Sequence, residues 1–125
     1  MRDYLVTCGL TSSTTRAGGL PASPDAVVAT LAYGGTPPVL AMGSQNVVER
    51  VMMVQVLVRG DVNGYATAAA LAETIFGYIV NALNVTVNSH FYDKIIASSE
   101  PLQLIPDNEA RPLFSLNVEM WRRGL

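Results

Sequence analysis

Residues 106–123, PDNEARPLFSLNVEMWRR, decide how this chain is read. An acidic turn, Asp107-Asn108-Glu109, leads through Arg111 into a run whose side chains alternate. Phe114, Leu116, Val118 and Met120 fall on one side, and Ser115, Asn117 and Glu119 on the other. Period-two alternation predicts a strand with one face against a core and one face in water.

Working outward, residues 47–59 form the longest predicted strand. Met52, Val54, Val56 and Val58 line one face; Val51, Met53 and Leu57 line the other, interrupted by Gln55. A strand apolar on both faces is covered on both, which places it centrally or under a neighbouring subunit. Arg59-Gly60-Asp61 ends the run, and Asp61 or Asn63 is positioned to cap a following helix. Arg59 beside Asp61, and Arg111 beside Asp107 and Glu109, are the expected structural charges. The planar fork of arginine donates two parallel hydrogen bonds to a carboxylate.

The spacing predicts a helix over residues 64–83. Asn63, Thr67, Ala70, Thr74, Gly77 and Asn81 form one small or polar stripe, and the rest of the circumference is largely apolar. One apolar stripe suffices to sit on a sheet. The second needs another partner, for which a copy of the same chain is the simplest candidate. The face bearing Tyr65, Phe76, Tyr78 and Ile79 is therefore expected to divide between core and subunit interface.

Further strands are predicted at 26–33 and 91–98, with short extended pieces at 85–87 and 102–105. Residues 1–7 form a short helix or an extended arm, and the Gly, Ser, Thr and Pro of residues 9–24 specify loop. Residues 36–46, TPPVLAMGSQN, make a long loop tipped by Val39, Leu40 and Met42. Loops of this length are commonly functional, so these three either form a docking surface or tuck back onto the same subunit. The expected fold is α+β: a mostly antiparallel four-stranded sheet, in chain order β-β-α-β-β, packed by one long helix and joined by long loops. A single domain covers residues 1–125, with an N-terminal arm and loop over 1–24 and the α+β core over 25–123.

Composition supports association over chemistry. Half of the 125 residues are hydrophobic and 14% are charged. About a quarter charged is usual, so surface normally given to charge is expected to be covered. A formal net charge of −2 and a pI near 5.2 lack the basic footprint of a nucleic-acid binder. Cys8 is the only cysteine, so no internal disulfide forms. Arg2 and Asp3 precede too short an apolar run for a secretory signal. The apolar region 66–85 contains Glu73, Thr74 and Asn81 and is read as a buried helix rather than a membrane span. His90 is the only histidine, leaving no triad and no metal-ligand spacing. Asp107 and Glu109 lack the ligand count of a calcium loop, and Gly34-Gly35 lacks the lysine and helix of a phosphate cradle. Neither cofactor nor metal is expected, and no enzymatic activity.

Three segments together carry a resemblance. The first is Leu20-Pro21-Ala22-Ser23-Pro24-Asp25, an apolar strand, and Tyr33-Gly34-Gly35-Thr36-Pro37-Pro38. The second is Val54-Gln55-Val56-Leu57-Val58-Arg59-Gly60 with Tyr65 opening a helix. The third is Pro106-Asp107-Asn108-Glu109-Ala110-Arg111 before the strand ending at Trp121. In order and spacing, across residues 20–123, the chain resembles the minor capsid or tail terminator family of long-tailed bacteriophages. It departs from that pattern before Gly9, where family members carry a longer helix.

The resemblance implies a structural virion protein of the tail-neck region, assembled in the host cytoplasm. Such a protein caps the tail tube as a homo-oligomeric ring, usually of six subunits, and joins it to head-completion or neck proteins. The expected partners are therefore further copies of itself, the tail tube protein and the neck protein, with DNA only in transit and no membrane. Ser115, Asn117 and Glu119, or the turn at Asp107–Glu109, are the candidates for the lumen. With ten acidic against eight basic residues, such a lumen is expected to be neutral or negative. The competing reading is a small-molecule-binding or catalytic α+β domain with its pocket between helix and sheet.

Overall fold

A computed structural model describes residues 1–35, 37–43 and 47–124. At its centre, β4 (Val47–Arg59) pairs antiparallel with β8 (Leu113–Arg123), in register from Glu49 opposite Arg123 to Arg59 opposite Leu113. Hydrophobic alternation sets that register. Val54 meets Val118, Val56 meets Leu116 and Val58 meets Phe114, so both apolar sets share one face. All six side chains are buried.

On the far side of β4 lie β2 (Val27–Gly35) and then β3 (Val39–Leu40), while β1 (Thr15–Ala17) adds to β2 in parallel. On the far side of β8 lie β6 (His90–Ala97) and β7 (Leu102–Leu104), and β5 (Leu83–Val87) forms the outer edge. The order is β1-β2-β4-β8-β6-β5 in one eight-stranded, curled, mixed sheet.

Two helices cover one face. In α2 (Tyr65–Val80), Ala68, Ala72, Ile75 and Ile79 recur at helical spacing and are buried. They join Val54, Val56, Val58, Phe114, Leu116, Val118 and Met120 in the core cluster. The shorter α1 (Arg2–Cys8) contributes Tyr4 and Leu5 to the same core. The Tyr4 hydroxyl donates to the Tyr78 carbonyl at 2.7 Å, tying α1 to α2. Cys8 is half-buried.

The expected four-stranded antiparallel sheet under a single long helix is thus incorrect: among the described residues the chain is mostly β, with eight strands and two short helices. The length of β4 explains part of the difference. Its thirteen residues need more backbone partners than β2 supplies, since β2 reaches only from Arg59 to Met52. Buried backbone groups must be paired, and Val39 and Leu40 extend the pairing to Glu49 and Val47. That places part of the expected 36–46 loop in the sheet; Thr36 and residues 44–46 of it lie outside the described residues. Likewise, Thr15–Ala17 enter the sheet by backbone bonding to Val28–Thr30, although the composition around them specifies turns.

Gly34-Gly35, expected to end β2, instead carries the strand through a bulge. Gly34 has φ of 137°, and a Cβ on Gly35 would lie 2.1 Å from the Val51 carbonyl oxygen. Only glycine lets the two backbones approach that closely. The helix is also shorter than the expected 64–83. Asn81 turns its side-chain amide back onto the Gly77 carbonyl at 2.9 Å, and Asn84 has φ of 51°. Neither Asp61 nor Asn63 caps the start; the N-cap is Gly64, with no side-chain bond.

Candidate assembly surfaces and the arginine cluster

At the end of the sheet where β4 stops and β8 begins, two arginines are buried, Arg59 at 3% exposure and Arg111 at 6%. Arg59 donates from Nε to the Asp25 carbonyl and from Nη2 to the Pro24 carbonyl, both at 2.8 Å. Its expected partner Asp61 is exposed, and among the described residues the two form no ion pair. The reason is geometric: the fork points across the sheet end toward β2, whereas Asp61 turns away with the chain into α2.

Arg111 donates from Nε to Asp107 Oδ2 at 2.7 Å and from Nη1 to Asp25 Oδ1 at 3.0 Å. Nη1 also reaches the Ala22 carbonyl at 2.9 Å and lies 3.5 Å from Glu109 Oε2. Asp107 Oδ1 accepts the amide hydrogens of Glu109 and Arg111, each at 3.0 Å, which closes the turn on itself.

Protonation follows from these contacts. Burial pushes the Asp107 carboxyl upward, but the amide of Arg111, its guanidinium and the amide of Glu109 outweigh that and hold it below its ordinary value. Burial and the neighbouring Arg111 charge pull Arg59 below its ordinary value. Burial works against Arg111 as well, but Asp107 and Asp25 raise it. Asp25 is the part of this cluster that sequence reasoning missed. The available signal was the proline-rich stretch 20–25, whose carbonyls and carboxylate have no secondary structure to occupy them.

Exposed apolar side chains stand at both edges of the sheet, and also at Val62, Tyr65, Leu102 and Ile105. On the β2–β3 side stand Leu31, Tyr33, Val39, Leu40, Met42 and Val48, with Met42 fully exposed. Of the expected docking residues, Val39 and Leu40 therefore lie in a strand, with their side chains in water. On the opposite side, Val80, Leu83 and Ile96 line an open pocket of about 290 Å³ with Ala82, Lys94, Ile95 and Ala97. Leu31, Tyr33 and Val48 were missed because sequence alternation alone does not show which part of β2 or β4 outruns its covering.

The expected helix face does not act as one unit. Ile79 is fully buried and belongs to the core, while Tyr65 is 51% exposed. Tyr65 rests against Phe114 at 5.5 Å between ring centres, and its hydroxyl lies 3.4 Å from Gln103 Oε1. Phe76 and Tyr78 are half-buried at the margin of the core.

The second face of β8 differs from the expected wet face. Ser115 is buried, because Leu57 of β4 and Leu102 of β7 flank it in register. Asn117 and Glu119 are half-buried beside Gln55 and Met53. Ser115 is thus shielded from any opening, whereas Asn117 and Glu119 lie on the face that no helix covers.

The space between α2 and the sheet is filled by the core side chains named above. A cleft of about 480 Å³ lies instead beside α1, lined by Met1, Arg2, Asp3, Ala17, Gly18, Thr30, Leu31, Ala32 and Val54. Its charged groups are engaged in structure. Arg2 bonds the Thr15 and Ser12 carbonyls and Asp3, and Asp3 also accepts from Asn88. Among the described residues no helix is long and apolar enough to cross a membrane. No family model and no curated protein matches the chain.

Proposed function

We propose that this chain is a non-enzymatic subunit of a closed homo-oligomeric ring that terminates the tail tube of a long-tailed phage and joins it to the neck. The observation that carries the proposal is the meeting of the three resembling segments at one end of the sheet. Arg59 of the second segment and Arg111 of the third both fasten the Ala22–Asp25 stretch of the first. The Gly60 amide also donates to the Pro112 carbonyl at 3.0 Å, joining the second segment to the start of the final strand. The three segments, distant in sequence, thus meet at one junction of the fold, which supports reading them together.

Two further observations support association. Two different groups of exposed apolar side chains stand at opposite edges of one sheet, and head-to-tail contacts close into rings when each subunit offers two different surfaces. The face bearing Asn117 and Glu119 is open, as a lumen wall or a docking face requires. A ring with this composition lets DNA slide without holding it, since each cationic phosphate contact adds salt-sensitive affinity.

Native mass spectrometry of the purified protein, with and without Met42→Ser, tests the proposal. The parent is expected as a closed oligomer, with six copies the implied number, and the Met42→Ser protein as smaller species that melt like the parent. A parent that remains monomeric at every concentration sinks the ring. A low-salt mobility assay should show no appreciable DNA retention by the ring, and tight, salt-dependent binding would point to a DNA-engaging connector instead.

A further inference from the structure

We propose that the free edge of β2, residues 31–35, receives strand β5 of a second copy of this chain, which adds to the sheet through main-chain hydrogen bonds. This inference rests on the ring reading and names its interface. Along β2, β1 pairs with Val28–Thr30 and stops at Ala17, where Gly18 leaves the sheet with φ of 99°. Beyond that step, Leu31–Gly35 has β4 on one side and, among the described residues, no strand on the other.

The Gly18 amide donates to the Thr30 carbonyl at 2.8 Å, so the backbone of Thr30 faces the β1 side. Backbone groups of successive strand residues point to alternate sides, so the amide and carbonyl of Ala32 face the same way as those of Thr30. Among the described residues, neither group of Ala32 has a hydrogen-bond partner on that side. Both stand beside the cleft of about 480 Å³ that Gly18, Leu31 and Ala32 line with the first residues of α1. The space at Gly18 is open, with nothing within 4 Å of where a Cβ would stand. An extended segment laid there continues the path of β1, which is recognition by β-augmentation.

The occupant is identified by how the strand edges are guarded. Native proteins place charges or prolines on exposed edges to block pairing with other chains. Here β1 carries Arg16, β3 follows Pro37-Pro38, and β7 lies between Pro101 and Pro106. Residues 31–35, LAYGG, and 83–87, LNVTV, contain neither a charge nor a proline. The two segments are equal in length and belong to opposite sides of one sheet, with β5 its last strand. Leu31, Tyr33 and Leu83 are exposed on them, so pairing also covers apolar side chains that otherwise meet water. Joining opposite sides of the sheet leaves each copy one edge for the next copy, the head-to-tail pattern that closes into rings.

Site-specific photo-crosslinking of the full chain tests it, with p-benzoylphenylalanine in place of Tyr33 and a mixture of nitrogen-15-labelled and unlabelled protein. Mass spectrometry then separates links between copies, which join one labelled and one unlabelled peptide, from links within a copy. The links between copies should fall on residues 83–87. Ala32→Pro removes the outward N–H, a change that an edge strand tolerates. It should melt like the parent and raise the concentration needed for self-association in sedimentation velocity at least tenfold, whereas Ala32→Thr, which keeps the N–H, should assemble like the parent. In a parent that assembles, links between copies that fall on other segments overturn the β2–β5 pairing and leave the ring standing. So does a folded Ala32→Pro protein that assembles like the parent; if that variant melts early, the crosslinks decide. A parent that is monomeric at every concentration ends the ring reading and this inference with it.

Discussion

Replacing Ile79 with Ala separates folding from assembly on the helix face that the sequence leaves undivided. Ile79 is fully buried at the last turn of α2, within the cluster that includes Tyr4, Leu116 and Val118. The substitution removes three carbons, and at about 0.8 kcal/mol for each buried methylene the transfer loss alone is about 2.4 kcal/mol. The unfilled space adds to this, so the total should fall in the range of about 2–5 kcal/mol seen for buried aliphatic truncations. In a domain of this size, Tm should drop by about 10 °C or more. Ile79→Val should cost only about 0.5–1.5 kcal/mol. Urea and thermal melts followed by circular dichroism give the stability, and light scattering gives assembly. Tyr65→Ala provides the contrast: with half of its surface exposed, it should fold and lose assembly more than stability. If Ile79→Ala melts like the parent yet fails to assemble, Ile79 is an interface residue and the packing of α2 described above is wrong.

Three further outcomes follow from particular contacts. Gly35→Ala should lower Tm by several degrees or abolish folding, because its Cβ would meet backbone rather than a movable side chain; a parent-like melt refutes the close approach. Since the Asp107 carboxyl titrates below its ordinary value in the folded chain, its stabilisation is complete above the unfolded pKa of about 4 and is lost as pH falls through the lower folded value. Melting from pH 7 to pH 2 should show that acid loss, and Asp107→Asn should be less stable at pH 7 and flatter below pH 4; parallel profiles contradict the linkage. Arg111→Lys and Arg59→Lys should each lower Tm more than Arg16→Lys, because an ammonium does not span the two carbonyls of Pro24 and Asp25 or the carboxylates of Asp25 and Asp107. Melts of all three that coincide with the parent make those contacts dispensable.

The sequence carries the centre of this fold more clearly than its edges. Phe114, Leu116, Val118 and Met120 alternate without interruption, as do Val54, Val56 and Val58, and these side chains pack together under α2. Ala68, Ala72, Ile75 and Ile79 repeat at helical spacing, which also marks α2. What periodicity does not hold is the partnering of short segments. Thr15–Ala17, Val39–Leu40 and Leu102–Leu104 have too few residues to show a period, and each joins the sheet because a longer strand presents unpaired backbone beside it. Ser115 illustrates the same limit on one residue: its polarity and parity point to water, yet it is buried between the neighbouring strand positions Leu57 and Leu102.

The arginine cluster was legible only in half. Arg111 and its acidic turn are local in sequence, so their proximity can be read from spacing alone. Arg59 appears to spacing as the partner of Asp61 two residues on, whereas its bonds run to Pro24 and Asp25, more than thirty residues away. Long-range contacts of an irregular stretch with a strand end leave no periodic trace. The exposed edges are legible in composition, as the low share of charge, but not in location.

The central claim is that this chain caps a tail tube as a ring. Electron microscopy of purified protein mixed with isolated tail tubes tests it most directly. The account predicts annular particles with a central opening in the protein alone, and one such ring at a single end of each tube, after which added tube subunits no longer extend that end. Tubes that continue to lengthen at both ends, with the protein monomeric in the background, would contradict it.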